Sequence, residues 1–325
     1  MEDCVVTENE IRPKEIFDKY LELSKKDGAK LDPTKFATIS CPACKSTRPA
    51  RDLEKFGFSF DRCGECGTLF CNPRPTASQL KEFYVHSESA AFWSKEFLPK
   101  VEAARKEKLV KPKVREIVKF LQERRRAPKR ICDIGAGHGF VLEELAKDLP
   151  EATYYAIEPD ANSCAVLRSK NFLVTQGLLG ESDSWAGTID FATCFEVFEH
   201  VFSPETFVRD TFDLLAPGGL VLFTTLSCDG YDIATLRETS KAISPPHHLN
   251  FFSHQGFRTL LEKVGFSRVE IATPGKLDVD IVLNSGSRND FLEVLRKRGP
   301  EAVAAFQEFL ATNNLSSHTW IWAQK

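Results

Sequence analysis

Arg130-Ile-Cys-Asp-Ile-Gly-Ala-Gly-His-Gly-Phe140 leads into Val141-Leu-Glu-Glu-Leu-Ala-Lys147. A mostly apolar, strand-like run meets glycines at 135, 137 and 139, and the residues after them have helical spacing. Three glycines let the backbone turn sharply and leave no Cβ where a bound molecule would lie against the chain. The helix N-terminus that follows offers unpaired N–H donors. Nineteen residues after Gly139 the next strand, Thr153-Tyr-Tyr-Ala-Ile-Glu158, ends in a carboxylate. In a parallel sheet Glu158 then stands beside the glycine loop, where it can accept both hydroxyls of a ribose.

Outward from this segment, strand and helix signals alternate in the βαβ manner. Strands are expected at 130–134, 153–158, 173–175, 189–194, 220–225, 268–272 and near 318–323. Helices are expected at about 138–148, 161–170, 204–215, 254–264, 289–298 and 301–312. Details of the loop narrow the cofactor. Its spacing is G-x-G-x-G, with Phe140 where the third glycine of a dinucleotide fingerprint would stand. Asp133 precedes the first glycine by two residues, a carboxylate that suits the ammonium of a methionine moiety and would repel a pyrophosphate.

Two further stretches follow in order: Asp190–Val201, DFATCFEVFEHV, and Phe212–Thr225, FDLLAPGGLVLFTT. With the loop and its acid, they resemble the class I S-adenosylmethionine (SAM)-dependent methyltransferases over roughly residues 128–273. The resemblance implies a seven-stranded, doubly wound, Rossmann-like α/β sheet. It also implies that Asp133, Gly135, Ala136, Gly137, Gly139 and Phe140 form the cofactor loop. Glu158, followed by Pro159, would hold the ribose, and Phe195 and Glu196 would lie where cofactor and substrate meet. The family's usual Asp after the third strand has no counterpart here; Gln176 is the nearest polar residue, and Leu178 or its neighbours would flank the adenine. In Glu199-His200 the histidine reads as structural.

Cys41-Pro-Ala-Cys44 and Cys63-Gly-Glu-Cys66 are two C-x-x-C knuckles eighteen residues apart. That spacing suits a tetrathiolate zinc ribbon. Four thiolates leave no open position for water, so the zinc would be structural. It would replace a core that about forty residues cannot build alone. The ribbon and the methyltransferase unit are expected to have separate cores, with Cys71 packing rather than ligating. Between the knuckles, Arg48, Arg51, Lys55, Phe56, Phe58 and Phe60 serve a core or a substrate cover equally well.

After the fifth strand comes an insertion of roughly thirty residues, SCDGYDIATLRETSKAISPPHHLNFFSHQGF. Ligands bind outside the carboxyl ends of strands in open parallel sheets, so this insertion is a natural lid. Its PPHHLNFFS run resembles class I enzymes that methylate small molecules, including sugars. In that pattern His248, rather than His247, is the retained histidine. A hydroxyl nucleophile needs a base within hydrogen-bond reach, and His248 is expected to titrate near neutrality. Tyr231 and Glu196 are the second choices. Lys276, Asp278 and Asp280 either line the site or decorate a hairpin.

The chain divides into an N-terminal helical extension (1–36), the zinc module (37–75), a helical linker (76–127) and the methyltransferase domain (128–325). One helix is expected over 8–28, and a mostly helical reading runs from Thr76 to about Gln122. A net charge of -3 argues against a dedicated nucleic-acid or membrane binder. The basic run Arg124, Arg125, Arg126, Lys129, Arg130 reads first as a solvated linker and second as a docking patch. No apolar run approaches the roughly 18 residues of a membrane span, and no secretory signal is visible, so a cytoplasmic location is expected. The function expected is methyl transfer from SAM to a small molecule, a sugar or nucleotide-sugar. The alternatives are an RNA or protein methyltransferase docking through the zinc module, or a non-catalytic SAM-binding regulator. The acceptor and the oligomeric state stay open.

Overall fold

The computed structural model describes residues 6–181 and 185–325; residues 1–5 of the N-terminal extension lie outside that set. In chain order the strands are β1 (Pro49–Lys55), β2 (Phe58–Cys63), β3 (Leu69–Cys71), β4 (Arg130–Ile134), β5 (Thr153–Glu158), β6 (Leu173–Gln176), β7 (Ile189–Phe195), β8 (Leu215–Leu226), β9 (Asn250–Phe251), β10 (Ser267–Ala272) and β11 (His318–Gln324). Seven of them form one sheet in the order β10-β11-β8-β7-β4-β5-β6. β8, β7, β4, β5 and β6 run parallel, while β11 lies antiparallel between β8 and β10.

Successive side chains of a strand face opposite ways, so the apolar strands feed two cores. Ile131, Ala156, Phe191, Leu222 and Trp322 pack with Leu142, Leu145 and Ile117 on one face. Cys132, Ile157, Cys194, Phe223 and Ile321 pack with Val208, Leu260 and Leu261 on the other. β8 is longer than expected because Pro217-Gly218-Gly219 continues the strand across a register shift instead of ending it in a turn.

The expected separate cores are not what the structure has. Cys41, Ala43, Cys63, Cys66 and Phe70 of the ribbon belong to the same buried cluster as Cys194, Phe223, Phe252 and Phe257. β9, at the end of the insertion, pairs with β3 and completes a four-stranded sheet β1-β2-β3-β9. Gly256 permits this contact: a Cβ there would lie 2.2 Å from Thr68 Oγ1 and 3.2 Å from Ala43 Cβ. Buried Arg74 adds Nη1–H donation to the Phe202 carbonyl (3.1 Å).

Two local expectations, at 8–28 and at 278–284, are corrected, while the mostly helical reading from Thr76 to about Gln122 holds. Residues 8–28 form two helices, Glu8–Ile11 and Lys14–Gly28, because Pro13 cannot continue the first one. The helical linker continues from Glu88 to Glu123 past Pro99 and Pro112. Wider π-type turns at Trp93–Phe97 and Lys106–Val110 precede the prolines and accommodate their missing N–H groups. Asp278–Asn284 is a helix, not a hairpin.

Candidate active site

Strand ends place the residues expected at the cofactor. At the carboxyl end of β4 the glycines take positive φ: +75° at Gly135, +51° at Gly137 and +76° at Gly139. Gly135 and Gly139 are wedged, since a Cβ would meet Val197 Cγ2 or Leu167 Cδ2 at 2.6 Å. Gly137 differs: a Cβ would find nothing within 4 Å. The loop is therefore packed at its two ends and open in the middle.

Glu158 lies against this opening. Its carboxylate accepts the Gly137 N–H at 2.8 Å through Oε2 and the Asp160 N–H at 2.9 Å through Oε1. Burial pushes its pKa up against these bonds. Gln176 is paired with Glu158 across β5 and β6 and stays exposed, as does Leu178. Pro159 follows Glu158 and precedes the helix-capping Asp160. Asp133 is buried and accepts a bond from Thr193 Oγ1 at 2.7 Å. Burial drives its pKa up to about 7, opposed by Thr193 and Lys113. A cation arriving there would favour the ionised form. Phe140 lies under the ammonium groups of Lys106 and Lys170, at 5.6 and 5.0 Å.

A second group of side chains gathers beyond β7. Phe195 ends that strand beneath Lys113 Nζ, 4.5 Å from the ring centroid. Glu196 follows with φ +53°, an uncommon conformation for a non-glycine residue. It accepts from His318 Nε2 (2.9 Å) and Thr224 Oγ1 (2.8 Å). Burial raises its pKa, but His318, Lys113 and Thr224 outweigh burial and hold it well below the usual carboxylate range. One short turn later, buried Glu199 accepts from Thr225 Oγ1 at 2.7 Å. Burial and the Glu196 charge push Glu199 up to about 7.

The insertion returns onto this turn. Leu249 N–H donates to the Glu199 carbonyl and Asn250 Nδ2 to the Val201 carbonyl, both at 2.8 Å. His248 is thereby held edge-on to His200, ring centroids 4.7 Å apart. His248 Nδ1 lies 2.6 Å from the Ala242 carbonyl, and His200 Nδ1 lies 3.2 Å from the Tyr84 hydroxyl. Contrary to the sequence expectation, His248 does not titrate near neutrality here: burial and neighbouring His200 lower its pKa to about 4. His247 faces the other way, buried among Tyr20, Phe83 and Tyr84, with its Nε2 3.1 Å from Ser89 Oγ.

The profile of a methyltransferase domain matches residues 106–271, just over half of the chain. The chain belongs to this methyltransferase family. The ubiquinone biosynthesis O-methyltransferase of Pectobacterium atrosepticum is 30% identical over 104 residues, 30% of this chain and 43% of that protein. Its Escherichia coli counterpart is 30% identical over 107 residues, 31% of this chain and 45% of that one. The chain thus spans less than half the length of these curated relatives. Two solved structures share the fold. The plantazolicin methyltransferase BpumL in complex with SAH has a TM-score of 0.50 at 15% identity, covering 76% of this chain and 93% of that one. The plantazolicin methyltransferase BamL, with a triazolic desmethylPZN analog and SAH, has a TM-score of 0.50 at 13% identity, covering 76% and 94%. The methyltransferase fold here is the class I, Rossmann-like one.

Within this methyltransferase the structure brings together Asp133, the glycine loop, Glu158 and Gln176 at adjacent strand ends, with Phe195 and Glu196 on the next strand. It does not bring Tyr231 to them. Tyr231 opens the helix Tyr231–Leu236 and packs against Phe306 in a C-terminal cluster, its hydroxyl near Thr235 and Asn289. Asp278 accepts from Ser316, Ser317 and Gln307, and Asp280 from the Glu8 N–H. Lys276 is exposed. Sequence reasoning missed Tyr84, Lys113 and His318, none of which lies in a recognisable motif, and undervalued Glu199 and His200, which do.

The four cysteines form a tetrad, their sulfurs all within 4.8 Å of one another. Cys41 and Cys66 Sγ are 3.6 Å apart, and Cys44 and Cys63 Sγ 3.5 Å. Sulfurs about 2.3 Å from a tetrahedral zinc lie roughly 3.8 Å apart, whereas a disulfide needs about 2.05 Å. The donor set fits zinc. The basic run, by contrast, is largely engaged. Arg124 pairs with Glu270, Arg126 donates to the Gly218 carbonyl, and Arg130 lies over Tyr155 and donates to Thr188.

Proposed function

We propose that this protein transfers a methyl group from SAM to a hydroxyl of a small molecule, and that the acceptor is a sugar or nucleotide-sugar. The observation that carries the proposal is the open space at Gly137, faced by Glu158, at the same sheet edge as Glu196, Glu199, His200 and His248. When bound, SAM supplies a sulfonium-activated methyl group, so the protein's task is alignment and proton removal. Asp133 would face the methionine ammonium, Glu158 the ribose hydroxyls through its remaining lone pairs, and Gln176 the adenine edge. Pro159, Ala136 and Phe140 would complete the walls of that cleft.

The acceptor hydroxyl then meets the corner of Glu199, His200 and His248. Of the three catalytic candidates named from sequence, His248 is the one with an imidazole edge there. Glu196 is committed to His318 and Thr224, which suits it to positioning. The ribbon and β9 cover this side, so we propose a structural zinc held by Cys41, Cys44, Cys63 and Cys66, which keeps the lid in place. Engagement of the arginines within the fold favours a small acceptor over an RNA docked on the basic run. Among the described residues no helix is long and apolar enough to cross a membrane; a cytoplasmic location is part of this proposal. Incubation with methyl-labelled SAM and a panel of nucleotide-sugars tests it by product mass. Label appearing only in RNA or protein substrates would reject the small-molecule reading.

A further inference from the structure

We propose that Glu199, His200 and His248 form a divalent-cation site at the acceptor end of the sheet, separate from the cysteine tetrad. The inference deepens the methyltransferase reading and rests on it for the site's role. One ligand atom from each residue lies within 4.8 Å of the other two. The protein's own hydrogen bonds say which ring nitrogens are free to ligate. The Ala242 carbonyl can only accept, so His248 Nδ1 carries the proton and its Nε2 carries the lone pair. Tyr84 donates its hydroxyl proton to the His247 carbonyl at 3.3 Å, so its oxygen accepts from His200 Nδ1. His200 Nε2 then also holds a lone pair. Thr225 donates to Glu199 Oε2 and fixes the carboxylate.

Among the described residues neither Nε2 has a hydrogen-bond partner. Two imidazole nitrogens and a carboxylate thus gather in one corner, a donor set that a cation would bridge. Each candidate ligand is oriented by an outer partner: Ala242, Tyr84 or Thr225. That is how ligating imidazoles and carboxylates are commonly held. Both histidines are only half-buried, so the corner has an open side. Three protein ligands of nitrogen and oxygen type leave coordination positions for a substrate oxygen and suit zinc, manganese or cobalt. In this role the imidazoles are ligands rather than bases. The ion would hold the acceptor hydroxyl and favour its ionisation, the proton passing to water. The oxygen's electron pair then forms the C–O bond as the C–S bond breaks and S-adenosylhomocysteine leaves.

The test is cobalt(II) titration of the full chain with its cysteine tetrad already zinc-loaded, followed by calorimetry and visible absorption. One equivalent of cobalt should bind and give d–d bands without the thiolate charge transfer that cobalt at the cysteines would show. Glu199→Gln and His248→Ala should each weaken cobalt binding at least about tenfold, with S-adenosylhomocysteine affinity retained as the check of folding. Tyr84→Phe, which removes only the hydroxyl orienting His200, is the gentler variant and should weaken it in the same direction. Absence of a second bound ion in the wild type, or wild-type cobalt affinity in all three variants, overturns the site. Methyl transfer measured on the same samples separates the two proposals. Transfer without cobalt uptake sinks the ion and leaves the enzyme, whereas cobalt uptake with no transfer to any acceptor supports the ion and sinks the small-molecule reading.

Discussion

Gly137→Val gives the most discriminating perturbation of the cofactor end, because the structure separates its effects on folding and on binding. A Cβ at Gly137 meets nothing within 4 Å, so the substitution makes no clash in the unliganded protein. Its folding cost is the backbone's: φ is +51°, and a left-handed conformation costs an L-residue about 1–2 kcal/mol. That corresponds to a fall in Tm of about 2–8 °C for a domain of this size class. Binding should suffer far more, because the valine side chain would project into the open space over the loop beside Glu158, where the ribose is expected. A loss of at least about 100-fold in S-adenosylhomocysteine affinity, about 2.7 kcal/mol, is the expected outcome by calorimetry. Gly139→Ala is the contrast: its Cβ would press on Leu167 Cδ2 at 2.6 Å and on Phe172 at 3.2 Å, so stability should fall first. Wild-type affinity in Gly137→Val would refute the assignment of the loop. So would tighter binding of NAD than of S-adenosylhomocysteine.

Glu158→Ala should weaken S-adenosylhomocysteine binding by about 1–3 kcal/mol in calorimetry, through lost bonds to a charged acceptor. His248→Ala should lower kcat about 10²–10⁴-fold with cofactor affinity nearly unchanged; a rise in KM alone would reduce the residue to substrate binding. Cys41→Ser with Cys63→Ser should remove the zinc of the cysteine tetrad, one ion per chain in metal analysis, and lower the melting temperature of the whole chain, because the ribbon shares its core with Phe223 and Phe257. A methyltransferase domain melting unchanged in that variant would contradict the shared core. Asp232 is buried beside Asp278; burial first, then that neighbouring charge, raises its pKa from 3.8 to about 7. A raised folded pKa means full stability below about pH 4, lost as pH rises toward 7. Asp232→Asn should therefore raise Tm at pH 8 by a few degrees and change it little at pH 4. Equal shifts at both pH values would show that the charge is not the cause.

The strands at 130–134 and 153–158 were legible to the residue because each is a short, mostly apolar run that ends at a glycine or a carboxylate. The expected cofactor residues came from the family resemblance together with position, since ligands gather at the carboxyl ends of such strands. The pairing of β9 with β3 was not legible: two residues, Asn250 and Phe251, join partners 180 and 182 positions away, and no periodicity marks so short a contact. At Asp278–Asn284 the hairpin alternative failed: Asp278, Val279 and Val282 are buried together on one face, which is helical spacing. The acceptor corner was only half legible. His248 stood out beside two prolines, but the orientation of His200 depends on Tyr84, 116 residues earlier, and on a turn that only the folded insertion creates. Tyr231 looked suitable from its place after the fifth strand; the helix it opens carries its side chain toward Phe306 instead.

The central claim is methyl transfer from SAM to a small-molecule hydroxyl, and methyl-labelled SAM tests it most directly. Purified, zinc-loaded protein should convert it to S-adenosylhomocysteine only when an acceptor is present. Mass spectrometry should then place one labelled methyl on a hydroxyl oxygen of a sugar or nucleotide-sugar, and Gly137→Val should abolish that product. Saturable S-adenosylhomocysteine binding with no labelled product from any small-molecule acceptor, or label found only on RNA or protein, would contradict the account.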